Sequence, residues 1–247
     1  KNSVRRMDAC WGEILDVLAD TELDKNTFVF CFTDHGLQWP LHIANVGEHG
    51  NGVFLVVWGP HTFTGGQTID AMVSLMDLFP TVCDLVGLER PAWLQGESLI
   101  PLMDGTTNTL HERLFFEQTY HAAYEPMRAV RTERYIYIKR FDHRDRLVLP
   151  NTDDTLAKQD MLAAGWEQQP RQQEMLYDLY FDPDQQNNLI DTPALDDFKR
   201  ELRASLEQWM QETQDPLCNG IVPLPKGVET TNPDAFSPEE EPFIIGE

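Results

Sequence analysis

Thr27-Phe28-Val29-Phe30-Cys31-Phe32-Thr33-Asp34-His35-Gly36 is the stretch that decides how this chain folds. Its first seven residues are apolar or β-branched on both alternating faces. That is the pattern of a strand covered on both sides, as strands of parallel sheets are. A carboxylate and an imidazole follow where the strand ends, and strand ends in α/β sheets are where ligands and metals are held. Asp34 offers a hard anionic oxygen and His35 a nitrogen, a pairing suited to a divalent cation. Adjacent side chains on a strand point to opposite faces. Both reach one ion only where the backbone turns, and Gly36 permits a turn. Thr33-Asp34-His35-Gly36 also reads as a polar strand end leading into a loop.

Upstream, Val4, Met7, Trp11, Ile14, Leu15 and Leu18 recur at helical spacing and predict an amphipathic helix packed on a sheet face. Downstream, Val53 to Trp58 reads as a second buried strand, with His42, Asn45, Glu48 and His49 in the loop between. Asp70 to Val86 reads as a helix with a break near Pro80. After a loop-rich stretch, Pro91 to Gly105, the pattern turns to strands over Leu114–Gln118, Arg128–Thr132 and Tyr135–Phe141. Thr132-Glu133-Arg134 makes a hairpin of the last two. A short helix near Leu156–Ala164, a strand over Glu174–Leu179 and a helix marked by Leu195, Phe198, Leu202, Leu206 and Trp209 complete the order. The chain therefore divides into the closing part of an α/β domain (residues 1–105), a small antiparallel sheet carrying one helix (106–220) and an acidic, Pro-rich, wandering tail (221–247).

The composition is that of a globular protein: 247 residues, 41% hydrophobic, six tryptophans. No apolar run approaches the roughly 20 residues of a membrane span. Nineteen basic residues against 41 acidic ones leave a net charge of −22, which disfavours nucleic acid and anionic membranes as partners. Any anionic ligand then needs a local positive field, which a metal with a few Arg or His residues supplies. Cys10, Cys31, Cys83 and Cys218 show no zinc-ligand spacing and leave the compartment open. The first residue is not Met, and the chain opens directly in a helix with no signal-like run, so a fragment or processed product is expected.

Asp34-His35-Gly36, Leu55-Val56-Val57-Trp58-Gly59-Pro60 and Val73-Ser74-Leu75-Met76-Asp77-Leu78-Phe79-Pro80-Thr81, in that order, resemble the second half of a sulfatase of the alkaline-phosphatase-like superfamily. Tyr120-His121-Ala122-Ala123-Tyr124-Glu125-Pro126-Met127-Arg128-Ala129-Val130-Arg131-Thr132 is similar to the heparan N-sulfatase (sulfamidase) branch. So are Leu176-Tyr177-Asp178-Leu179, Asp182-Pro183, Asn187-Asn188-Leu189 and the closing Trp209 to Pro216. The resemblance runs from about Val4 to about Asn219. It implies an α/β fold: the rear portion of a mixed-sheet sandwich, then a small four-stranded antiparallel domain with one helix.

The resemblance also implies a chemistry, the hydrolysis of sulfate esters or sulfamates of sugars. A formylglycine nucleophile arises in a Cys/Ser-x-Pro-x-Arg motif, and a calcium ion acts as Lewis acid. No Cys or Ser here fits that motif, so nucleophile and half the calcium ligands are expected in a missing N-terminal half with which this chain would associate. The chain alone is expected to be inactive. Asp34 and His35 match the family's second pair of metal ligands. The family places a basic residue nine positions after that Asp, where this chain has Ile43; the adjacent His42 is a candidate substitute, or a solvated surface imidazole. His121 is expected to contact substrate, or to cap or pack. Arg128 would pair with an anionic sulfate, or form a structural ion pair with Glu117 or Glu125. Asp77 is expected to cap or pin its helix. A phosphatase or phosphonate ester hydrolase of the same superfamily and a non-catalytic glycan-binding homologue are the alternatives. Family members are commonly lysosomal or exported, but the compartment is left open.

Overall fold

The structure, a computed structural model, describes residues 2–60, 65–240 and 242–243. In chain order its elements are α1 (Asn2–Asp20), β1 (Val29–Phe32), α2 (Glu48–Asn51), β2 (Leu55–Trp58), α3 (Leu78–Val86), α4 (Ile100–Met103), β3 (Leu114–Tyr120), β4 (Tyr124–Arg131), β5 (Tyr135–Arg140), α5 (Leu156–Ala163), β6 (Glu174–Asp178), α6 (Asp196–Glu212), β7 (Thr230–Thr231) and β8 (Pro242–Phe243). They form two compact units: residues 1–34 with 53–111, and residues 35–52 with 112–247.

In the first unit the expected helix and both strands are present, but three expectations change. β1 and β2 run antiparallel, Val29 opposite Trp58 and Phe32 opposite Leu55. A parallel pair needs a crossover of a dozen or more residues, usually a helix, lying back over the same sheet. Here the connecting residues 35–52 belong to the other unit instead. Nor are these strands covered on both faces: Phe32, Val56 and Trp58 are exposed, as are Val4, Met7, Ile14 and Leu15 along the apolar stripe of α1. The helix near Pro80 also differs. It begins at Leu78, so Pro80 falls in its first turn, where a missing N–H costs nothing, and no break occurs. Asp77 pins this helix as expected. Its carboxylate is fully buried and accepts from Ser74 N (2.7 Å), Glu97 N (2.8 Å) and His111 Nε2 (2.9 and 3.0 Å).

The second unit is built on a four-stranded antiparallel sheet in the order β3-β4-β5-β6. Alternation along the strands sends side chains to two faces. Val130, Tyr137 and Leu176 meet Leu202, Leu206 and Met210, which recur every four residues along α6. Met127, Ala129, Ile136, Ile138 and Met175 form the opposite face, and Val46 of the 35–52 loop packs into it. The central strand β4 is buried on both sides for that reason. The hairpin at residues 132–134 closes as expected, with Thr132 N donating to Tyr135 O (2.8 Å).

The expected wandering tail is corrected as far as Glu240; residues 241 and 244–247 lie outside the described residues. Thr230 and Thr231 are buried, Asp234 pairs with Arg144, and Lys158 Nζ donates to Phe236 O (2.5 Å). Composition suggested disorder because the segment is Pro-rich and acidic with few aromatics. The segment is held by backbone and buried-charge bonds instead, which composition does not report.

Candidate functional site

The candidate residues are placed by three loops. The first begins where β1 ends. Asp34 and His35 are both exposed, and the division between the two units falls between them. His35 Nδ1 lies 2.8 Å from Gly36 O. A carbonyl only accepts, so Nδ1 is the donor in this contact. Gly36 is required for a reason other than the turn. Its N–H donates to Gly50 O (2.9 Å), and a Cβ there would stand 1.8 Å from His49 O.

Further along this loop, His42 is half-buried and stacks on His49 with ring centroids 4.6 Å apart, while His49 Nε2 faces Asp184 Oδ1 at 3.4 Å. Burial, then the His49 charge, lower the His42 imidazole from its ordinary value, with Asp184 opposing. Its Nδ1 is buried without a hydrogen-bond partner. It is therefore not a solvated surface imidazole. His42 and Ile43 lie between Leu41 (φ 67°) and Ala44 (φ 52°), two non-glycine residues in left-handed conformation. Such strain concentrates at functional loops. Glu48 fastens the loop's far end. Arg131 donates to it in bidentate fashion (2.7 and 3.0 Å), and its own N–H donates to Gln185 Oε1 (2.9 Å).

The second loop is the turn between β3 and β4. His121 is exposed at its tip, and its N–H donates to Ala123 O (3.2 Å). The third loop, residues 142–155, joins the other two. Asn151 Oδ1 accepts from Ala123 N (2.7 Å), and Asp153 accepts from the Gln38 side chain. The loops carrying His35 and His121 are thus both tied to the segment 151–153. Beneath it lies a buried charge network that sequence reasoning missed. Glu125 accepts from Arg140 (2.7 Å), Arg171 (2.9 Å) and Asn151 (2.9 Å), and Arg171 also clamps Asp142 (2.8 and 2.9 Å). Burial pulls the Arg140 guanidinium down from the usual arginine range against the attraction of Glu125. Charged residues inside strand runs (Glu125, Arg140) were the available signal.

Arg128 is corrected. Its side chain is 1% exposed, and its guanidinium donates to Asp215 (2.5 and 3.0 Å), Gln118 O (2.7 Å), Met127 O (2.8 Å) and Thr119 Oγ1 (3.1 Å). It is the structural ion pair, with Asp215 as chief partner; Glu117 stands 3.7 Å away and Glu125 serves other arginines. In the first unit, an apolar cavity of about 500 Å³ along β2, lined by Val56, Trp58, Ile69, Leu99 and Met103 among others, includes none of the candidate residues.

Calcium takes six to eight oxygen ligands. Among the described residues no group of three or more His, Cys, Asp or Glu is placed to hold a metal ion. Asp34 and His35 offer one hard oxygen and one nitrogen, so the described residues do not by themselves make a calcium cage.

Two family models match the chain. One is "Sulfatase", over residues 1–88, and the other is "N-sulphoglucosamine sulphohydrolase, C-terminal", over residues 47–157. Human N-sulphoglucosamine sulphohydrolase is 28% identical over 239 residues, covering 87% of this chain and 47% of that protein. An ulvan-active sulfatase of Formosa agariphila is 25% identical, covering 84% and 42%. The chain spans less than half the length of these relatives. Among solved structures, a putative sulfatase from Bacteroides thetaiotaomicron superposes with a TM-score of 0.63 at 23% identity, over 88% of this chain and 44% of that one. The protein BT4656, solved with its substrate D-glucosamine-2-N,6-O-disulfate, does so with a TM-score of 0.62 at 18% identity, over 83% and 38%. These likenesses show that the chain shares the mixed helix-and-strand fold of the matched part of those structures, as expected.

Proposed function

Because this chain belongs to the sulfatase family, we propose that it is the part of a sulfuric-ester or sulfamate hydrolase that frames a sulfated sugar, of heparan N-sulfatase type. The observation that carries this reading is the match of residues 47–157 to the N-sulphoglucosamine sulphohydrolase model. The anchoring of the His35 and His121 loops to one segment supports it.

His121, exposed at the tip of its turn, donates a hydrogen bond to the anionic group of the substrate. His42 is the weaker candidate for the place of the basic residue absent at Ile43, because it is stacked on His49 and burial lowers its proton affinity. Calcium and a formylglycine belong to this proposal as the Lewis acid and nucleophile of sulfatase chemistry. Asp34 and His35 are the donors this chain offers to the ion, and the other ligands and the nucleophile lie outside the described residues. Arg128 has no place in the site: it holds the sheet beneath.

The test uses the full-length protein carrying this sequence, assayed on an N-sulfated glucosamine, a 6-O-sulfated glucosamine and a phosphonate monoester. Hydrolysis of a sulfated sugar, with calcium binding and turnover both lost in Asp34→Ala, is expected. Preference for the phosphonate, or undiminished turnover in Asp34→Ala, overturns the assignment. Binding of the sulfated sugar without turnover makes the chain a glycan-binding homologue.

A further inference from the structure

We propose that residues 222–236 form a clasp that positions the His121 turn, with Lys158 and Thr230 as its positioning residues; the consequence for substrate rests on the reading of His121 given above. Besides the His121 N–H bond to Ala123 O, the turn 121–123 is held by distant partners. Ala122 O accepts twice from the clasp, from Thr231 N (2.8 Å) and Thr230 Oγ1 (2.7 Å). Ala123 is fully buried, bridges to Thr231 in parallel fashion and gives its N–H to Asn151. One end of the clasp is fixed where Tyr120 Oη donates to Val222 O (2.5 Å).

The other end is fixed by Lys158, whose ammonium is fully buried. It donates to Thr152 O (2.9 Å), Asp154 Oδ1 (2.8 Å) and Phe236 O (2.5 Å), and lies 4.5 Å from the centroid of the Phe236 ring. An ammonium has three donors, and all three are used. Withdrawing the clasp would leave one of them unpaired in the interior, which strongly opposes release. The same ammonium holds Thr152 O, next to the Asn151 that holds Ala123 and the Asp153 that accepts from Gln38. Lys158 therefore fixes both sides of the cradle in which the turn sits. It touches no substrate and acts through Ala122 and Ala123 on where the His121 imidazole points.

The experiment compares Lys158→Met, Thr230→Val and His121→Ala in the full-length protein. The readouts are hydrogen exchange at the Ala123 and Thr231 amides, with kcat and KM on the sulfated sugar. In Lys158→Met, exchange at both amides is expected to rise about tenfold, the equivalent of one hydrogen bond, while β5 stays protected. KM should rise toward the His121→Ala value with kcat within about twofold, because a misplaced contact loses binding common to ground and transition states. Thr230→Val removes one hydroxyl and should do the same to a smaller degree; it decides the matter if Lys158→Met fails to fold. Unchanged Ala123 exchange in the variants, or faster exchange with unchanged KM while His121→Ala raises it, overturns the clasp. An unchanged KM in His121→Ala overturns the reading of His121 instead, and exchange at Ala123 then judges the clasp alone.

Discussion

Asp215→Asn isolates what the buried ion pair does for the sheet. Arg128 and Asp215 side chains are each 1% exposed, so water cannot replace a lost partner. The carboxylate accepts from Arg128 Nε (2.5 Å) and Nη2 (3.0 Å) and also caps Leu217 N (2.9 Å). Asparagine keeps the cap but removes the charge and presents N–H donors to a guanidinium. Breaking one side of a buried pair costs about 3–5 kcal/mol. Three other acceptors remain on Arg128, and Glu117 stands 3.7 Å away, though it is largely in solvent. The expected loss is therefore at the lower end, about 3 kcal/mol, or a melting temperature lower by about 6–12 °C for a chain of this size. Urea unfolding followed by circular dichroism measures it. Arg128→Met with Asp215→Asn should recover most of the loss, since no unpaired charge is left buried. A cost under about 1 kcal/mol for Asp215→Asn, or a double variant as weak as the two singles added together, would refute the reasoning.

Gly36→Ala places a methyl 1.8 Å from the His49 carbonyl oxygen, and overpacking against backbone should destabilise by about 2–3 kcal/mol. Gly12→Ala, in open space on α1, should stabilise by about 0.5–1 kcal/mol; thermal melts of the two variants with equal shifts would contradict the close approach at Gly36. Acidification should weaken the protein through His42. Its folded-state proton affinity is held below the ordinary value of 6.5, so its contribution is complete above that pH and is lost as pH falls through the lower folded value. Melting temperatures between pH 8 and 5 should fall less steeply for His42→Gln than for the parent protein, and identical slopes would exclude His42 as the cause.

What could be read from the chain followed from which interactions are local. The β3–β6 strands and α6 are legible because Ile136/Ile138 and Leu202/Leu206/Met210 repeat at the periods of strand and helix. The Asp34-His35 pair stood out because polar groups closing an apolar run are a local contrast. The direction of β1 against β2 was not legible, because identical apolar runs pair either way and the connection decides. Arg128 found Asp215 across 87 positions, whereas the sequence offered nearer carboxylates. The clasp escaped notice because its bonds come from backbone and hydroxyl groups and from one lysine, Lys158, whose burial the local sequence does not mark. Residues 35–52 were read as a connection within one domain, although Val46 is a core residue of the other unit. Val46 shares that segment with Leu37, Trp39, Leu41 and Ile43, so nothing local marked it as the core residue.

That allegiance of residues 35–52 has a consequence during synthesis. The segment leaves the ribosome before Met127, Ile136 and Ile138, the surface on which Val46 comes to rest. At about 5–20 residues per second the wait is on the order of ten seconds. Throughout that interval Val46 has nowhere to go, and the Gly36–Gly50 contact has no scaffold behind it. The nascent protein thus carries the loop of His35 and His42 without its packing surface until β4 and β5 have been made.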